Sequence, residues 1–224
     1  LQIGYWMKFF LEKLKYIVMI GLAVVLTQVP FLVILSMDNK QSLSNTLIVI
    51  AVYGLIISLV LYVAKKENLL TFDFSFFNGS SVKLLVLSYF VSFAIGILAA
   101  IVMQLEGAPL IPQNQERVTE ITQQIPKIIS VISIVIGAPI MEEIIFRGLI
   151  PKKLFAQHQV VGYVVGAILF GFFHSPTNIG SFILYGGMGA VFAYVAYKTD
   201  RLEMSILAHM LRNGIAILLM LFLM

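Results

Sequence analysis

Cysteine is absent from the 224 residues, which removes disulfides, thiolate metal ligands and a cysteine nucleophile together. Charge is scarce as well. Asp, Glu, Lys and Arg make up 12% of the chain, against roughly a quarter in a soluble domain. Histidine occurs three times, so imidazole chemistry can involve few positions. What fills the chain instead is apolar: 60% of residues are hydrophobic and the mean hydropathy is +0.98. A soluble fold of this length has too little interior to hide that surface. The chain therefore reads as all-α, a polytopic transmembrane helical bundle.

A span needs about 20 mostly apolar residues. Seven stretches qualify as candidates: Tyr16–Met37, Leu47–Ala64, Lys83–Met103, Lys127–Ile150, Val160–His174, Phe182–Tyr197 and Met204–Met224. They are expected to form one integral membrane domain over residues 1–224. Residues 1–6 precede Met7 and receive no role in the fold. The first apolar stretch contains Pro30 and has no small-residue cleavage site before Asp38, so it does not read as a cleavable signal. Gln104–Pro126, with three prolines and several glutamines, is expected to be a surface loop. The Gly162/Gly166 pair points to tight packing between helices.

Lys and Arg are distributed unevenly. With the N-terminus inside, the inner segments carry Lys8, Lys13, Lys15, Lys65, Lys66, Lys83, Lys152, Lys153, Lys198 and Arg201. The outer ones carry Lys40, Arg117 and Lys127. This pattern sets the orientation and accounts for the net charge of +4 without nucleic acid. The implied location is the plasma membrane, with a cytoplasmic N-terminus.

Ionisable groups inside spans cost about 2.5–3.5 kcal/mol each on insertion scales and mark functional sites. Here they concentrate in the C-terminal half: Glu142, Glu143 and Arg147 in the fourth candidate span, His174 ending the fifth, and His209, Arg212 and Asn213 in the seventh. Glu143 and Arg147 are four apart and share a helix face, while Glu142 points about 100° away. His209 and Asn213 are also four apart. Phe170 and His174 repeat that spacing, so an aromatic ring can pack beneath the imidazole. Taken singly, these features have plain structural readings: an ion pair, an interfacial histidine, polar glue between helices. Taken jointly they exceed what glue requires. A buried carboxylate can take a proton from water and return it, and neighbouring donors can stabilise an oxyanion. These parts suffice for peptide-bond hydrolysis. His158, in a polar segment beside Gln157 and Gln159, reads as solvated.

At these residues the sequence resembles the CAAX protease and bacteriocin-processing family, the Abi family of intramembrane proteases related to type II CAAX prenyl endopeptidases. Three motifs carry the resemblance, in order and each in an apolar stretch. They are EExxxR at Glu142–Arg147, FxxxH at Phe170–His174 and HxxxN at His209–Asn213. It covers about Lys127–Met224, expected to be the catalytic core. The resemblance implies an intramembrane endopeptidase with Glu142 as general base and His174 as a water ligand. It implies that Glu143 and Arg147 orient the site, and that His209 and Asn213 stabilise the oxyanion. The family has been interpreted both as metalloprotease and as metal-independent glutamate protease. Glu142, His174 and His209 would be a zinc set, but the chain has no HExxH helix. No cofactor is favoured, and zinc stays open as the alternative.

The implied partners are the lipid bilayer and a small peptide or membrane-proximal protein substrate, with bacteriocin or pheromone processing or self-immunity as the setting. Two other readings stay open: a non-enzymatic immunity protein that binds a toxin or its receptor, and a small transporter with a buried proton relay. One geometric difficulty follows from the span limits. Glu142 and His209 fall nearer the inner face and His174 nearer the outer. Either residues 151–159 dip into the membrane, or the fifth helix is tilted and starts elsewhere.

Overall fold

A computed structural model describes residues 2–73 and 75–223. Among these residues there are eight helices and no strands. They are α1 (Gln2–Leu35), α2 (Leu43–Lys66), α3 (Gly79–Leu105), α4 (Gln113–Gln124), α5 (Lys127–Leu154), α6 (Gln159–Phe173), α7 (Ile179–Thr199) and α8 (Leu202–Leu223). Six of them are long and apolar enough to cross a bilayer, and α6 is a shorter apolar helix. Outward faces carry Leu22, Val25, Phe90, Ile97, Ile168 and Leu218. In lipid such exposure costs nothing, because the solvent is as apolar as the side chain.

The helices differ in how far they are enclosed. In α5, 56% of the most apolar window is buried, against 11% in α1 and 17% in α3, so α5 is the central helix. One apolar cluster packs α1 and α2 onto it through Ile34, Tyr53, Ile56, Ile129 and Ile140. A second, with Ile145, Phe146, Phe170, Phe192 and Met204, joins it to α6, α7 and α8.

Helix α5 is not a regular α-helix. Wider π turns at Val131–Gly137 and Ile144–Leu154 flank an α-helical segment, Ala138–Glu143, that contains both glutamates. Such turns often mark functional sites. Proline helps set the register, because it offers no N–H. The Ala138 N–H bonds the Ser133 carbonyl, five residues back. The next bond in that register would run from residue 139 to the Ile134 carbonyl, and residue 139 is proline. The Ile134 carbonyl is left to find another donor.

Helix α6 packs closely on the second π stretch. A side chain on Gly162 would meet the Pro151 backbone at 2.5 Å, and one on Gly166 would meet the Phe146 carbonyl oxygen at 2.3 Å. The two glycines let the backbones touch. With 15 residues, α6 is about 22 Å long, short of the roughly 30 Å hydrocarbon core. The turn that follows is fixed by a capping box between Asn178 and Ser181 and by Glu106, whose carboxylate accepts the Ile179 and Gly180 N–H groups at 3.1 and 3.0 Å. Helix α6 keeps nearly the limits expected from the sequence, yet the difficulty over His174 does not arise. The imidazole at its C-terminal end lines the same cavity as Glu142 and His209.

Two sequence expectations are corrected. Residues 2–6 belong to α1, which begins far ahead of Tyr16 and places Lys8, Lys13 and Lys15 on a helix. Gln104–Pro126 is not a plain loop, since it contains α4. Asn114, Val118 and Ile121 are half-buried on one side of α4, followed by buried Ile125, while Glu116, Arg117 and Glu120 are exposed. The apolar spacing was present but short, and its surrounding glutamines and prolines masked it. The seventh expected span ended at Met224, which lies outside the described residues.

Polar contacts gather the chain's basic segments at one end of the bundle. Lys13 donates to the Lys153 and Leu154 carbonyls at 3.0 and 2.6 Å. Lys15 pairs with Glu67 at 2.6 Å, Lys152 with Asp200 at 2.8 Å and Arg201 with Asp73 at 3.3 Å. Hydrogen bonds from Ser75, Thr71 and Arg201 hold the Asp73 carboxyl well below its ordinary range. At the other end, Asn114 of α4 donates to the Tyr185 hydroxyl at 3.4 Å, and Thr122 approaches Met220.

Candidate active site

The two adjacent glutamates of α5 diverge as helical geometry requires. Glu143 is fully buried, and both its oxygens are engaged. Its Oε1 accepts Arg147 Nη1 at 2.9 Å and His209 Nδ1 at 2.9 Å. Its Oε2 accepts the Ser205 hydroxyl. Arg147, also fully buried, spends a second arm on the Gly189 carbonyl at 2.7 Å. Its guanidinium lies over the Phe170 ring, 4.4 Å from the centroid. An ion pair this far from water needs hydrogen-bond partners for its lone pairs and protons, and α5, α7 and α8 supply them jointly for all but the Arg147 Nε.

Glu142 stands apart. Its Oε2 is buried without a hydrogen-bond partner, and His209 Nε2 lies 4.0 Å from it. It borders a cavity of about 460 Å³ that is also lined by His174, His209, Arg212 and Asn213. Helix α4 closes one side of this cavity through Val118 and Ile121, and α1 contributes Phe31.

The imidazoles are held so that one nitrogen is committed. A carboxylate accepts, so His209 Nδ1 carries the proton it donates to Glu143, and Nε2 is left facing Glu142. The ring stacks on Phe192 at 4.5 Å between centroids. His174 Nδ1 donates to the Phe170 carbonyl at 2.8 Å, which leaves its Nε2 uncommitted. That ring lies between Phe170, 4.5 Å away as the spacing implied, and Tyr185, stacked at 4.4 Å. Asn213 Nδ2 donates to the Ile134 carbonyl at 2.9 Å and so meets the group that Pro139 cannot serve.

All six residues singled out from the sequence thus meet around one centre: Glu142, Glu143, Arg147, His174, His209 and Asn213. Three partners were missed. Ser205 had a signal, since Ser205, His209 and Asn213 recur every four residues on α8. Phe192 and Tyr185, which set the planes of the two imidazoles, had none. His158 is exposed, as expected of a solvated residue. Among the described residues no three His, Asp or Glu side chains converge as a metal site would require. The donor set does not fit zinc, and no step is derived through it.

The fold and this centre define a polytopic helical membrane protein with a buried carboxylate–guanidinium–imidazole site beside a partly open cavity. Residues 124–215, which contain all three motifs, match the family model of the Rce1-like type II CAAX prenyl endopeptidases. YdiL of Bacillus subtilis, described only as a candidate membrane peptidase, is 29% identical over 145 residues, covering 64% of this chain and 58% of YdiL. The membrane-embedded CAAX protease MroQ of Staphylococcus aureus is 30% identical over 130 residues, 54% of this chain and 51% of MroQ. The UPF0177 protein YvdC of Lactococcus lactis is 27% identical over 141 residues, 61% of this chain and 53% of YvdC. The chain spans little more than half the length of these relatives. No solved structure matches. The likeness is to membrane proteases of the CAAX type, and it coincides with the site built above.

Proposed function

We propose that the protein is an intramembrane endopeptidase in which Glu142 activates the attacking water. The observation that carries this reading is the division of labour between the two glutamates. Both Glu143 oxygens are engaged, accepting three hydrogen bonds between them, whereas the Glu142 carboxylate borders the cavity with an uncommitted oxygen.

In the proposed reaction a water lies between Glu142 and the uncommitted Nε2 of His174. Glu142 takes one of its protons, and the resulting hydroxide attacks the scissile carbonyl carbon. The carbonyl oxygen becomes an oxyanion. The second N–H of the Asn213 amide can donate to it, as can His209 Nε2 when that ring carries both protons. Collapse of the tetrahedral intermediate breaks the C–N bond, and Glu142 returns its proton to the leaving amine, so protons balance. Arg147, Glu143 and Ser205 touch no substrate in this scheme. They hold His209 in place.

The Lys and Arg distribution supports a cytoplasmic N-terminus. On that orientation the α4 end of the bundle, where the cavity lies, faces away from the cytoplasm. The expected setting is a bacterial plasma membrane, with a small peptide or the membrane-proximal part of a protein as substrate. The test uses purified protein and a quenched fluorescent peptide library. Glu142→Gln and His174→Ala are expected to abolish cleavage at unchanged melting temperature. Equal cleavage by wild type and Glu142→Gln would remove Glu142 as the base.

A further inference from the structure

Arg147 and Arg212 both lie among the C-terminal helices, Arg147 fully buried and Arg212 half-buried, and they are held in different ways. Arg147 is met by a carboxylate, a carbonyl and an aromatic face, with its Nε alone left unpartnered. Arg212 makes no hydrogen bond or ion pair among the described residues, and its Nε is buried without a partner. It nonetheless lines the cavity that Glu142 borders. An unpaired guanidinium at membrane depth is costly and cannot shed its proton. The cost makes sense if the partner is not part of the protein.

We infer that Arg212 is a specificity-determining residue that binds a carboxylate of the substrate near the scissile bond. The inference rests on the peptidase reading. Three observations support it. The cavity contains a second cation, Arg117 on α4, and its one acidic lining residue is Glu142, so an anion entering meets net positive charge. Glu142 does not neutralise Arg212, since they form no ion pair, and both Glu143 oxygens are engaged by other partners. Arg212 is also one helical turn from His209, about 4.5 Å along α8, whereas an extended peptide advances about 3.4 Å per residue. A carboxylate held by this guanidinium therefore fixes which peptide bond reaches Glu142. Arginine suits the task because its planar fork grips a carboxylate with two parallel hydrogen bonds. The carboxylate could be the chain terminus or an Asp or Glu side chain.

The probe is a dye-labelled random octapeptide library in three forms: free C-terminal acid, C-terminal amide, and amide with one fixed Asp. Binding is read by fluorescence polarisation on the full chain bearing Glu142→Gln, which separates recognition from turnover. Cleavage by the wild-type chain is read in parallel. The acid form is expected to bind about tenfold more tightly than the amide. Arg212→Gln should erase that preference and raise KM, and Arg212→Lys should keep part of it. Rescue of amide binding by the fixed Asp would assign the carboxylate to a side chain. Equal binding of all three forms, unchanged by Arg212→Gln, would overturn the inference. An acid preference that depends on Arg212, with no cleavage by wild type, would support the inference while removing the peptidase reading.

Discussion

Glu142 and Glu143 are neighbours in sequence with the same side chain, and their surroundings give them opposite tasks. Glu143 accepts from an arginine, a histidine and a serine at zero exposure, so removing a partner strands a buried charge. Arg147→Ala is expected to cost about 3–5 kcal/mol, the range for breaking a buried ion pair from one side. Its lowered melting temperature in detergent would be the readout. Arg147→Lys should recover only part of this, because an ammonium cannot meet Glu143 and the Gly189 carbonyl with one planar fork. Glu142→Gln should leave the melting temperature within a degree or two of wild type, as Glu142 Oε2 has no partner to lose. A normal melting temperature for Arg147→Ala would mean that Glu143 finds compensation elsewhere.

Among the elements, α5 has the closest link between backbone irregularity and site. Its π turns bring a free carbonyl, at Ile134, to the cavity wall, and Asn213 of α8 caps it. Asn213→Ala should cost about 1 kcal/mol, the low end for an orphaned acceptor because this one borders the cavity. In a Pro139→Ala background the same substitution should cost less, since the regained N–H lies in register for Ile134. A thermal double-mutant cycle measures the difference, and an unchanged cost would show that Pro139 does not create the orphan.

Much of this was legible in the sequence, and the illegible parts have physical causes. Hydropathy located the spans, because a bilayer demands long apolar runs, and charges buried in them exposed the site. A π turn changes hydrogen-bond register without changing apolar content, so no periodicity announced it. The limits of α6, by contrast, were legible, since Gln159 and His174 bracket its apolar run. Helix α4 was obscured because its apolar stripe, Val118 and Ile121, spans about one turn before the chain leaves the helix at Ile125.

The bundle as a whole is polarised, and its two ends make different demands. Lys13, Lys15, Lys152 and Arg201 are tied into one end by contacts to Lys153, Glu67, Asp200 and Asp73. The opposite end carries α4, which lies over the cavity and has few basic residues. Positively charged loops stay on the cytoplasmic side, so the cavity is predicted to open outward. A substrate would then reach Glu142 from outside the cell or from the outer leaflet, and a peptide in transit across the membrane could be cut as it emerges. The absence of native cysteine makes this directly measurable, because a single introduced thiol is the one labelled site. In intact cells, Glu120→Cys on the exposed side of α4 should react with a membrane-impermeant maleimide, while Lys66→Cys at the end of α2 should react only after lysis. The reverse pattern would place the cavity on the cytoplasmic side and require a substrate presented from within. Peptide binding through Arg212 would survive that result, since it depends on the cavity and not on which compartment the cavity faces.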